Sequence, residues 1–168
     1  AKNQPLTLIY ADLDDFKAYN DHYGFQRGDQ AIRFTAEVIT ACAQRQGEKD
    51  IFIGHIGGDD FVIITASDKV QQLCDAIIAN FDSRVEELYD EEDARRGYIK
   101  NVDRLGHEVI VPLLSLSLAV VESKGQFRTR LEIAEVAAEL KRYAKSRRGS
   151  LTVRDRRRTY QLRRSTSK

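Results

Sequence analysis

Residues 51 to 65, Ile51-Phe-Ile-Gly-His-Ile-Gly-Gly-Asp-Asp-Phe-Val-Ile-Ile-Thr65, read as two apolar strands joined by a tight turn whose tip carries adjacent carboxylates, Asp59 and Asp60. The flanks are β-branched and aromatic, as a pleated surface prefers. Gly57 and Gly58 accept the positive φ that a short hairpin connection demands. Acids at a hairpin tip are ordinary by themselves. These gain meaning from a second cluster, Asp12, Asp14 and Asp15, which closes the apolar run Leu6-Thr-Leu-Ile-Tyr-Ala11. If the strand ending at Asp12 pairs beside the hairpin, carboxylates from both converge, which is costly unless a cation sits between them.

Outward from the hairpin, apolar residues recur at helical spacing. Ala31, Phe34, Val38, Ala41 and Cys42 predict a helix over 30–46 with Asp29 as its cap. Val70, Leu73, Cys74, Ile77, Phe81, Val85 and Leu88 predict a second, capped by Ser67 or Asp68 and ending before the charged stretch 90–96. Residues 98–111 read as loop or weak strand. A strand over 113–121 follows Pro112, then a helix marked by Ile133, Val136, Ala137, Leu140 and Ala144 that ends near Gly149. A short strand over 151–154 closes the series. The order is strand, helix, hairpin, helix, strand, helix, strand. Hairpin pairing excludes a purely parallel sheet, leaving an α+β fold with a mostly antiparallel central sheet flanked by helices, the ferredoxin-like arrangement being the nearest common form.

The 168 residues suit a single domain over 1–153, since roughly two-thirds of the unfolded surface is buried at this size. The net charge of +1 mixes many charges of both signs and points to neither nucleic acid nor membrane. The basic residues of 154–168 read as a solvated tail, with an anion-binding arm as the alternative. Cys42 and Cys74 fall on apolar helix faces, as small core residues in a reducing compartment do. No stretch resembles a signal peptide or a membrane span, so a cytoplasmic location is expected. The chain lacks Met and enters a strand almost at once. That suggests a domain excised from a larger protein.

Several chemistries are absent. There is no P-loop, no Cys and His spacing for zinc, and no serine hydrolase elbow. His55 lies within a hairpin strand, where a packing role is the simpler one. What remains is a hard-cation site of oxygen ligands, Asp12 from one strand end and Asp59 from the hairpin tip. Magnesium held by one or two carboxylates usually carries substrate phosphates, which suggests phosphoryl or nucleotidyl transfer. Composition and spacing alone are equally satisfied by acids that merely end strands.

The run Asp12-Leu-Asp-Asp-Phe-Lys-Ala-Tyr-Asn-Asp-His-Tyr-Gly-Phe-Gln-Arg-Gly-Asp29, followed by Gly57-Gly-Asp-Asp-Phe61, closely resembles the GGDEF family of diguanylate cyclases in motif content, order and separation. The resemblance extends over about 6–153 and implies the palm-type fold of that family. It also implies condensation of two GTP molecules into cyclic di-GMP, each 3′-hydroxyl attacking the other nucleotide's α-phosphorus. By resemblance, Asp12, the Leu13 carbonyl and Asp59 would hold magnesium. Asp59, Asp60 and Lys17 would be the catalytic residues, with Asp59 assisting removal of the hydroxyl proton and Lys17 stabilising charge on the phosphates. The backbone near Asp15 and Phe16 would contact the phosphates, Asn20 and Asp29 would read guanine, and Lys145 would meet the terminal phosphates. Each residue also has a plainer reading. Asn20 and Asp29 could cap helices, and Lys17 and Lys145 could be solvated charges. A two-fold product implies two such domains face to face, hence a homodimer, and the family implies a covalently linked regulatory or phosphodiesterase domain.

The chain departs from the family in several places. The fourth motif position is Asp60 rather than the usual Glu, and the missing methylene shifts the carboxylate by more than about 1 Å, on the scale of bond lengths. The Arg-x-x-Asp product site that many members carry would align with residues 48–51 and is absent. The usual Ala-Lys-x-x-Gly-Arg-Asn becomes Ala-Lys-Ser-Arg-Arg-Gly-Ser, with Arg148 as the candidate replacement for the phosphate-binding arginine. Phe25 stands where His is common. These departures make a GTP-binding regulatory domain without turnover the alternative expectation.

Overall fold

The structure is a computed structural model and describes residues 6–47, 50–66, 68–123 and 129–156. Its centre is β1 (Leu6–Asp14), the middle strand of a five-stranded sheet. The hairpin strands β2 (Ile51–Gly57) and β3 (Asp60–Thr65) lie on one side, with β3 antiparallel to β1. On the other side β6 (Ser115–Ser123) is antiparallel to β1, and β7 (Leu151–Arg154) runs parallel to β6.

β1 is buried along most of its length because helices cover both sheet faces. On one face Ile9, Ala11 and Leu13 join the main core with Val38, Ile39, Phe61, Ile63, Leu73 and Ile77. Helices α1 (Phe16–Tyr23), α2 (Phe25–Arg45) and α3 (Val70–Arg84) contribute to that core. On the other face Leu8 and Tyr10 pack with Val121 and with Ile133, Val136, Ala137 and Leu140 of the last helix, Arg130–Lys145. The strand period of two therefore sends Asp12 toward the last helix, in line with Leu8 and Tyr10.

Several local expectations change. The helix expected to begin at residue 30 starts at Phe25, so Asp29 is an exposed position inside α2 and not its cap. A separate helix, α1, precedes it, and Gly24 makes the corner with φ 84°. The residue before α3 is Lys69, so Asp68 is not its cap, while Ser67 lies outside the described residues. A 3₁₀ turn at Val85–Leu88 completes the apolar stripe of α3. The charged stretch forms a short helix, α4 (Glu91–Arg96), with acids in its first turn, basic residues in its last, and Gly97 closing it at φ 77°. That order complements the helix dipole. The stretch 98–111, expected as loop or weak strand, forms a hairpin of β4 (Tyr98–Val102) and β5 (Glu108–Pro112). The last helix is accordingly α5. Arg154 ends β7, with Nη1 2.7 Å from Glu122 Oε1. The tail over 157–168 and Glu48 of the product-site alignment lie outside the described residues.

Candidate functional site

The hairpin and the end of β1 meet as the acidic pattern requires. Asp12 and Asp60 are directly opposite in the β1–β3 register. Gly57 at φ 144° and Gly58 at φ 58° turn the chain, with an irregular register between His55 and Gly57. The tip is tied back to β1 by the Leu13 N–H, which donates to the Asp59 carbonyl at 3.2 Å. At the other end of the turn, His55 Nε2 lies 2.9 Å from the Gly58 carbonyl. β1 then leaves the sheet through Asp15 at φ 62°, a left-handed conformation that Asp tolerates better than most side chains.

This corner borders a cleft of about 810 Å³. Leu13, Asp15, Phe16, Lys17 and Asp59 line it from the strand and hairpin side, and Lys145 and Arg148 from the end of α5. Residues more than a hundred positions apart therefore share one cavity. Arg147 adds a third cation from the α5 end, and Ile110, Pro112 and Leu113 supply an apolar wall. Lys17 is largely exposed, with Nζ 2.8 Å from Asp21. Such a surface pair contributes little to stability, so Lys17 is free to turn toward an anion.

Asp12 and Asp60 do not line the cleft; they form a charge network beside it. Asp12 is 2% exposed, and Lys141 Nζ lies 2.8 Å from its Oδ2. Lys141 also pairs with Asp60. Lys145 Nζ is 3.0 Å from Asp12 Oδ1, close enough for an ion pair although that oxygen accepts no hydrogen bond. Burial pushes the Asp12 carboxyl above its usual range against the pull of both lysines. Desolvation pushes the Asp60 carboxyl up, but its hydrogen bonds with Lys141 and Asp12 and the charges of Lys141 and Lys145 together hold it below its usual range. Lys141, partly desolvated, is raised by its contacts to both acids. Sequence reasoning missed Lys141. The available signal was its spacing of four from Lys145, which puts both on one side of α5.

Asp14, a member of the acidic cluster, lines the cleft, and its Oδ2 accepts from Ser117 Oγ at 2.7 Å and Ser115 Oγ at 3.0 Å. Burial nevertheless pushes its carboxyl up. Asn20 and Asp29 lie outside the cleft lining. Asn20 instead sits against α2, where a Cβ added to Gly28 would fall 1.9 Å from Asn20 Oδ1. That oxygen is buried without a hydrogen-bond partner among the described residues. α1 is held in place by Tyr19, whose hydroxyl donates to the Leu88 carbonyl at 2.7 Å and whose ring meets Tyr89 edge-on.

The donors around Asp12 are of the right kind for magnesium, since two carboxylates and the Leu13 carbonyl come from segments joined by a hydrogen bond. Among the described residues no three acidic, His or Cys side chains converge into a preformed cage. An ion here would need further oxygens from a bound phosphate, the usual situation for magnesium.

A family model described as the diguanylate cyclase GGDEF domain matches residues 1–97. The chain belongs to this family. Among curated relatives of this GGDEF domain, the cyclic di-GMP phosphodiesterase PdeR of Escherichia coli is 34% identical over 85 residues, 51% of this chain and 12% of that protein. A diguanylate cyclase of Vibrio cholerae is 32% identical over 68 residues, 40% of this chain and 20% of that protein. The match thus spans only a small part of these relatives. Among solved structures, the GGDEF domain of YfiN (TpbB) from Pseudomonas aeruginosa matches over 90% of this chain and 77% of its own at 20% identity, with a TM-score of 0.63. The active GGEEF domain of a Vibrio cholerae diguanylate cyclase matches over 92% and 85% at 18% identity, with a TM-score of 0.58. These likenesses show that the α+β sheet described above is the fold of GGDEF domains. Among the described residues no helix is long and apolar enough to cross a membrane.

Proposed function

We propose that this GGDEF domain binds GTP and magnesium and condenses two GTP molecules into cyclic di-GMP, two copies of the domain facing each other. The observation that carries the reading is the shared cleft, in which Asp59 and the Asp15 to Lys17 turn oppose the cations Lys145 and Arg148. A triphosphate is the ligand that such an arrangement of cations and exposed backbone suits. In this reading Lys17, Lys145 and Arg148 bind the phosphate oxygens, and the N–H groups near Asp15 and Phe16 orient them. Asn20 and Asp29 accept from the guanine edge, whose N1–H and exocyclic amine adenine does not present together. The Asp59 carboxylate takes the proton of the attacking 3′-hydroxyl, while Asp60 acts beside it through the network with Asp12. Magnesium, held by Asp12, the Leu13 carbonyl and Asp59, would supply charge neutralisation at the phosphates. The location is cytoplasmic, where GTP is made, and a covalently linked regulatory or phosphodiesterase domain supplies the signal.

The test is to incubate the concentrated chain with GTP and magnesium and to chromatograph the nucleotides, with ATP as control. Cyclic di-GMP from GTP alone supports the reading. No product even when two copies are forced together by a fused dimerisation segment refutes it.

The pairing of Asp60 with Lys141 favours a second reading, a GTP-binding regulatory domain without turnover. It expects guanine-selective, magnesium-dependent binding and no product. Asp60→Glu separates the two: increased product with unchanged GTP affinity identifies a cyclase weakened by its shorter acid.

A further inference from the structure

Lys141 is the strongest charged feature that the proposed chemistry leaves unused. Its ammonium group sits between the two cross-strand carboxylates, 2.8 Å from Asp12 Oδ2 and also paired with Asp60. This is the position a cation must take to keep two opposed acids together. Lys145 covers the other Asp12 oxygen at 3.0 Å. Both oxygens of the proposed metal ligand are thus engaged by ammonium groups.

The two lysines differ in what can draw them away. Lys145 lines the cleft and is 49% exposed, so an incoming triphosphate offers it another anion. Lys141 does not line the cleft and is 21% exposed. A phosphate in the cleft therefore gives Lys141 no competing partner. Displacing it would strand a partly buried ammonium and uncover Asp60, and an unpaired charge in such surroundings is costly.

We infer that Lys141 is a built-in counter-ion that competes with divalent cations for Asp12 and so sets the metal affinity of the site. The inference rests on the reading of Asp12 as a metal ligand. It predicts that the domain holds its acidic corner together without metal, and that bound nucleotide removes only one of two obstacles to metal entry.

The experiment titrates Mn2+ into the 168-residue chain without nucleotide, reading free Mn2+ by electron paramagnetic resonance. Lys141→Met is expected to lower the Mn2+ Kd about tenfold, within the range of coupling between interacting sites. Lys141→Arg, which keeps a cation, is expected to stay near the parent value. Adding Asp12→Asn to Lys141→Met is expected to abolish the gain. If Lys141→Met does not unfold cooperatively, Asp60→Asn with Lys141→Met replaces it, measured against Asp60→Asn alone, with the same tenfold gain expected. An unchanged or weaker Kd on removing Lys141, with binding still dependent on Asp12, overturns the counter-ion role and leaves the metal reading standing. Mn2+ binding that ignores Asp12→Asn, or no binding in any variant, overturns both.

Discussion

Gly28→Ala separates the recognition of a base from the stability of the fold. Gly28 is a buried position inside α2, and replacing a helix-interior Gly by Ala ordinarily stabilises by roughly 0.5–1 kcal/mol. Here the new Cβ would stand 1.9 Å from Asn20 Oδ1, 2.9 Å from its Cγ and 3.3 Å from Phe16 Cζ, whereas ordinary contact begins at 3.4 Å. The Asn20 oxygen must therefore recede by about 1.5 Å to reach ordinary contact. Its Oδ1 makes no hydrogen bond among the described residues, so moving it breaks none there. The propensity gain and the tight Phe16 contact roughly cancel, and the net change in unfolding free energy is expected to stay within about 1 kcal/mol. Guanine recognition would suffer instead, because a hydrogen bond of roughly 1–1.5 kcal/mol is about tenfold in Kd. The assay pairs calorimetric titration of GTP, with ATP as control, against urea unfolding. Unchanged GTP affinity in a normally stable variant would refute the role of Asn20 at the base. A loss of stability beyond about 2 kcal/mol would refute the claim that Asn20 can yield.

Other perturbations test the fold and its electrostatics. Phe81→Ala removes a fully buried ring that meets Phe34 edge-on at 5.6 Å, and should cost about 3–5 kcal/mol in urea unfolding. Asp14→Asn should keep the serine hydrogen bonds while removing a charge that burial disfavours. Because the folded Asp14 carboxyl titrates above its unfolded value, its protonated form favours folding below that value, and this advantage is lost as pH rises through the folded pKa. The variant should therefore be at least as stable as the parent at pH 7, with the difference shrinking as pH falls toward 4; a constant difference across that range would refute the cause. Cys42 and Cys74 are buried free thiols, and burial pushes Cys74 up to about 12. Neither should react with a thiol reagent at pH 8 in the native state, and both should react at once in denaturant.

Much of the fold was legible because its strands and longer helices carry strong periods. The β2–β3 hairpin announced itself through two glycines between β-branched runs, and α3 and α5 through apolar stripes. What escaped notice lacked such signals. The α1 segment is only eight residues long and reads more as a motif than as a helix. Asp29 looked like a cap because acids favour that position, yet Gly24 makes the turn five residues earlier and the helix runs through Asp29. The β4–β5 hairpin exposes Val102, Val109 and Ile110, so the alternation expected of a half-buried strand is blurred.

By itself the sequence determined which chemical groups were available: two acidic strand ends, a glycine turn to present them, and basic residues near the end of the last predicted helix. The spacing of Asp12, Lys17, Asn20 and Asp29, with the Gly57 to Phe61 motif, was enough to suggest the family. Tertiary structure decided which charges meet. Antiparallel register set Asp60 opposite Asp12, and the strand period turned Asp12 toward the face that α5 covers. Only that packing brought Lys141, 129 positions away in the sequence, between the two acids. Charge pairing depends on distances of a few ångströms across elements remote in the chain, and no local pattern encodes them.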